Sequence, residues 1–186
     1  RGLQQPDRPA DPPGLRHDQL ETSVSQNAVS ITQANLTESL KFFTAPQREL
    51  VALLAETIIP KTDTPGAIDA GVPAWLELLA QDCLIEADQK VLLAGLGTVE
   101  SRSAAEFKKP FAQLAVAERI QLLTAMEQEA KKAGEAKAFI RQFKELTKFC
   151  FVNSEIGATQ AFEFHLIPGR WDPAADLKPG QKAYSI

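Results

Sequence analysis

Residues 139–150, Phe139-Ile140-Arg141-Gln142-Phe143-Lys144-Glu145-Leu146-Thr147-Lys148-Phe149-Cys150, bring an apolar side chain round every three to four positions. Phe139, Ile140, Phe143, Leu146 and then Phe149 or Cys150 follow the 3.6-residue turn of an α-helix, and the charged residues between them fill its other side. The stretch predicts a long helix from about Glu135 to Asn153. Gly134 is a natural stop for the element before it, because glycine accepts the left-handed conformation that ends many helices.

The same period recurs upstream. From Val116 to Lys132 it puts Ile120, Leu122 and Leu123 inside and leaves Glu118, Glu127, Glu129 and Lys131 in water. Before the break at Lys109-Pro110, a helix from near Glu86 to near Ala105 carries Val91, Leu92, Leu96 and Val99 on one face. Its acidic first turn, Glu86 and Asp88, suits the positive helix end. Pro73 fits the first turn of a helix with Trp75, Leu76, Leu78 and Leu79, followed by Cys83, an element expected to be deeply buried. At the front, Thr44 and Gln47 form a capping-box pattern with Pro46 in the first turn. Leu50, Val51, Leu53, Leu54 and Ile58 then recur at helical spacing until Pro60.

Five helices result, and no run alternates with period two between hairpin turns, so a sheet is not expected. The predicted fold is all-α: one helical domain over residues 36–156, an extended Pro-rich arm over 1–35 and an extended tail with turns over 157–186. Pro6, Pro9, Pro12 and Pro13 crowd the arm, and polar residues dominate it up to Asn35, too little apolar surface to fold alone. It reads either as a linker or as an arm that lies on a partner.

With 186 residues, 44% of them hydrophobic, the chain can bury one substantial core. Its 24 acidic and 20 basic residues give a net charge of −4 without a basic stripe, which argues against nucleic acid and anionic lipid as partners. No apolar run approaches the eighteen or so residues needed to cross a bilayer, so direct membrane insertion is not expected. The chain starts at Arg1 and its one methionine is Met126, as in either a processed mature form or a trimmed chain.

Residues for chemistry are sparse. Gly95-Leu96-Gly97 starts like a dinucleotide fingerprint but lies within a helical pattern, follows no strand and has Glu100 where the third glycine belongs; helix packing explains it better. A phosphate loop, HExxH and GxSxG are all missing. His17 belongs to the polar arm, which leaves His165, ten residues beyond Glu155, as the candidate for acid–base work with Glu155 or Glu163 orienting it. Asp63 with Thr62 and Thr64 is a poor set of cation ligands. Cys83 and Cys150 read as buried thiols, with an interhelical disulfide as the open alternative in an oxidising compartment. There is no CxxCH haem-attachment motif.

Two stretches remain. One is Leu54-Ala55-Glu56-Thr57-Ile58-Ile59-Pro60-Lys61-Thr62-Asp63-Thr64-Pro65-Gly66-Ala67; the other is Asn153-Ser154-Glu155-Ile156-Gly157-Ala158-Thr159-Gln160-Ala161, followed by Pro168-Gly169-Arg170-Trp171. In the second, small residues allow close backbone approach, while Glu155, Thr159 and Gln160 supply donors and acceptors to a helix end or a neighbouring chain. That mixture points to an interface made by Ser154, Glu155, Gly157, Thr159, Gln160, Pro168, Gly169, Arg170 and Trp171.

In this order the stretches resemble the gluconate 2-dehydrogenase subunit 3 family, over roughly residues 42–172. The resemblance implies a non-catalytic small subunit that holds no cofactor itself. It would clasp a flavoprotein large subunit of the glucose-methanol-choline oxidoreductase type that carries FAD and oxidises a sugar, sugar acid or glycoside. A cytochrome c subunit with haem c is a further implied partner, as are a periplasmic location and twin-arginine export. The family's pattern usually has a tyrosine near His165, a departure that weakens a general catalytic role there. The rival readings are a free-standing helical adaptor and a small enzyme using His165.

Overall fold

The computed structural model describes residues 40–135, 138–164, 176 and 179–185. These contain five α-helices: α1 (Ala45–Ile58), α2 (Val72–Asp82), α3 (Glu86–Phe107), α4 (Val116–Lys132) and α5 (Phe139–Val152). Each coincides closely with a predicted helix. The largest shift is at the start of α5, where the connection after Gly134, itself left-handed at φ +69°, runs on to Ala138. The all-α expectation holds for this domain; the arm predicted over 1–35 lies outside the described residues.

α5 organises the core because it packs against each of the other four helices. Its inward face is Phe139, Ile140, Phe143, Thr147, Cys150 and Phe151. Phe143 has no exposure, and its ring lies 5.5 Å from that of Phe139. Thr147 is fully buried but loses no hydrogen bond, since its hydroxyl donates to the Phe143 carbonyl at 2.8 Å. Leu54 from α1, Leu76 from α2, Leu92, Leu96 and Val99 from α3, and Leu122 from α4 complete the cluster. Gly95 lets α3 and α5 close up: a Cβ there would lie 2.0 Å from the Phe139 ring. The Gly-Leu-Gly stretch is thus helix packing.

Local chemistry sets the ends. The Gln47 carboxamide accepts from the Thr44 N–H at 2.9 Å, capping α1 as its sequence predicts. Lys108 ends α3 in the left-handed region at φ 59°, after which Phe111–Gln113 make a single 3-10 turn that periodicity does not reveal. That turn is pinned from three sides. Phe111 is fully buried, its N–H donates to Glu100 at 3.2 Å, and the Arg119 guanidinium lies 5.6 Å from its ring centre.

Helical phase is corrected at two places. Trp75 and Ile120, each expected inside, are 45% and 49% exposed. Of the two residues left open on α5, Cys150 is buried and Phe149 is 57% exposed. Glu77 of α2 is 2% exposed. Burial alone would raise its carboxyl, but hydrogen bonds from Arg48 and from the Phe43 N–H, with the charge of Arg48, hold it below the usual carboxylate range. Arg48 reaches it through Nε at 2.7 Å and Nη2 at 2.8 Å. The expectation of no sheet also needs amendment. Two-residue strands β1 (Glu163–Phe164) and β2 (Tyr184–Ser185) pair in parallel, Glu163 opposite Tyr184.

Candidate functional site

The segment that follows α5 is built by two of its own small residues. Ser154 is 5% exposed; its hydroxyl donates to the Phe151 carbonyl at 2.7 Å and accepts from the Gly157 N–H at 2.9 Å. Gly157 is buried against the same carbonyl, and a Cβ on it would stand 1.9 Å from the Phe151 oxygen. This close approach turns the chain into a π-helical turn, Gly157–Ala161, closed by the Phe162 N–H on the Gly157 carbonyl at 3.1 Å. Single π turns are frequently found at functional sites. Phe162 then meets Phe151 edge-on, with ring centres 6.5 Å apart.

The turn divides the site residues into two sets. Ser154 and Gly157 face inward and shape the backbone. Glu155, Thr159 and Gln160 are exposed. The Thr159 hydroxyl donates to the Glu155 carbonyl at 2.6 Å, and the Lys182 ammonium donates to the Gln160 carbonyl. Lys182 thereby fastens the C-terminal segment to the turn. Beside it opens a cleft of about 530 Å³, lined by Thr159, Phe162, Glu163, Phe164 and Gly180 to Lys182. Pro168, Gly169, Arg170 and Trp171, together with His17 and His165, lie outside the described residues.

Two apolar side chains of α4 are exposed, which the sequence reading did not expect. A short connection joins α4 to α5, and the Lys144 ammonium grips the Glu127 carboxylate at 2.7 and 2.8 Å, so the two helices run antiparallel. The start of α4 therefore lies at the end of the pair where α5 finishes. Val116 and Ile120 are 64% and 49% exposed there. Their i, i+4 spacing was the available signal, but the same spacing also describes a core stripe.

The loop after α1 proves to be held from within. The Glu56 carboxylate accepts from the Lys61 N–H at 3.0 Å and from the Ile68 N–H at 2.9 Å, which ties both ends of the loop to α1. Gly66 makes room for it, since a Cβ there would fall 2.3 Å from the Glu56 oxygen. Lys61 adds an ion pair to Asp69 at 2.8 Å. Thr62 donates to Asp63 at 2.9 Å, so a local turn already engages the residues weighed as cation ligands. Among the described residues no group of three His, Cys, Asp or Glu side chains could hold a metal ion. Nor, among them, is any helix long and apolar enough to cross a membrane.

The cysteines are free thiols in this structure, and they differ. Cys83 is exposed at the end of α2, contrary to its expected burial, whereas Cys150 is 2% exposed on the inner face of α5. The bridge left open by the sequence is not made, because one thiol points to solvent and the other into the core. Burial pushes the Cys150 thiol up to about 11, which leaves it little thiolate at neutral pH. Iodoacetamide should therefore modify Cys83 in the native protein and Cys150 only after denaturation. Mass spectrometry without reductant checks this, and failure of both to react after denaturation would reveal a disulfide.

A family model described as gluconate 2-dehydrogenase subunit 3 matches residues 45–169. The match takes in all five helices, the Glu56-clamped loop and the π turn. No curated protein and no solved structure matches the chain.

Proposed function

The chain belongs to the gluconate 2-dehydrogenase subunit 3 family, and from that premise we propose that it is the non-catalytic small subunit of a heteromeric dehydrogenase. The complex oxidises a sugar, sugar acid or glycoside, with FAD in a large subunit of the glucose-methanol-choline oxidoreductase type. Haem c belongs to a cytochrome subunit where one is present. The small subunit binds the folded large subunit, stabilises it by mass action and accompanies it to the periplasm, on twin-arginine export.

The observation that carries this reading is the division of the signature. Ser154 and Gly157 are spent on a π turn, and that turn presents Glu155, Thr159 and Gln160 to solvent, with exposed Phe164 lining the same cleft as Thr159. Polar groups on a fixed backbone next to apolar surface suit a protein–protein contact, because little conformational freedom is lost on binding. The Pro-rich residues 1–35 suit a second contact, since their composition offers little apolar surface for a core of their own.

Affinity for the co-expressed flavoprotein tests the reading. Replacing Glu155 and Gln160 together with Ala should weaken association about tenfold, roughly 1.4 kcal/mol, and leave the circular dichroism of the free subunit unchanged. Deleting residues 1–34 should weaken it separately. Unchanged affinity in both would place the interface elsewhere. Turnover of a sugar with an electron acceptor by the purified small chain alone would overturn the non-catalytic role.

A further inference from the structure

The residues at the root of α1 are held by polar contacts as well as by burial, Phe43 being part of the core cluster. Leu40 and Phe43 are 5% and 3% exposed, and Phe43 meets Phe42 edge-on with ring centres 5.0 Å apart. The polar contacts to this strap come from two residues of α2 and one of α1. Glu77 accepts the Phe43 N–H at 2.9 Å, and Gln81, one helical turn further along the same face, accepts the Lys41 N–H at 3.0 Å. Arg48 completes the arrangement: its Nη2 donates both to Glu77 and, at 2.6 Å, to the Leu40 carbonyl. One guanidinium thus joins α1, α2 and the strap.

We propose that Leu40–Phe43 is a latch, pinned by Glu77, Gln81 and Arg48, that can be released while the five-helix domain stays folded. Its physical basis is that, among the described residues, the backbone of the strap is attached through these side chains and makes no backbone–backbone hydrogen bond. The strap precedes the first helical hydrogen bond, that from the Arg48 N–H to the Thr44 carbonyl, so opening it breaks no helical turn. Its pin is also reachable, because the Arg48 side chain is 42% exposed. Release frees four residues, about 13 Å of extended chain.

Trypsin reads the latch directly. The Lys41 side chain is exposed, so cleavage after it is limited by release of the backbone around it. Lys61, exposed in the loop after α1, gives an internal reference in the same digest. In the full chain, Glu77→Gln should raise the rate of cleavage between Lys41 and Phe42 at least tenfold, with the rate after Lys61 and the helical circular dichroism unchanged. Gln81→Ala, which removes one strap contact from the surface of α2, should give a smaller rise confined to the same bond. An unchanged Lys41 rate in both variants would overturn the proposal. So would a parallel rise at Lys61 in Gln81→Ala, or a loss of helicity in Glu77→Gln, since the strap would then be part of the cooperative core.

Discussion

Phe143→Ala should cost the helical domain about 3–5 kcal/mol, the usual penalty for deleting a fully buried aromatic ring. Phe143 has no exposure and lies on a helix that touches all four others. The space left by the ring is bounded by several helices at once and cannot collapse by moving one of them. Phe149→Ala, one and a half turns along the same helix, removes a ring that is 57% exposed and should shift stability by no more than about 0.5 kcal/mol. Urea unfolding of the two variants beside the parent decides the matter. Equal losses would mean that α5 does not face the core with this phase.

Gly157→Ala should be nearly as damaging, at about 3 kcal/mol, the upper end of the cost of overpacking. The added methyl would stand 1.9 Å from the Phe151 carbonyl oxygen and 2.8 Å from the Ser154 hydroxyl. A backbone oxygen at the end of α5 cannot swing aside as a flexible side chain can, so the π turn itself has to move. Gly97→Ala is the matched control: it lies within α3, nothing stands within 4 Å of its added Cβ, and relief of the helix cost of glycine should stabilise by about 0.5–1 kcal/mol. Thermal melts of the pair give opposite signs if the signature shapes the backbone. A harmless Gly157→Ala would show that the close approach can relax. Because the turn presents Glu155 and Gln160, the same variant should also weaken the association proposed above, even where it remains folded.

The number and extent of the helices were legible because their signals are local. A 3.6-residue period, a capping Gln47 and a terminating Gly134 act within a turn or two of the residues that carry them. α4 accordingly starts and stops where its sequence says. The family was also legible, from the two stretches that the matched region includes. Periodicity, however, fixes a helix and not its neighbours. Phe149 and Cys150 are adjacent, and only the packing of four helices around α5 selects Cys150 for the core and leaves Phe149 in water. Trp75 is exposed and Glu77 buried for a related reason. A carboxylate can be buried on α2 because Arg48, 29 positions earlier in the chain, arrives to pair with it. The small-and-polar signature likewise gave its composition but not its division of labour. Ser154 and Gly157 belong to the backbone and Glu155, Thr159 and Gln160 to the surface because the chain reverses against the Phe151 carbonyl, a contact that exists only once α5 is in place. Local spacing determines which elements form; which side of each element meets protein, and which meets solvent, depends on contacts between residues far apart in the chain.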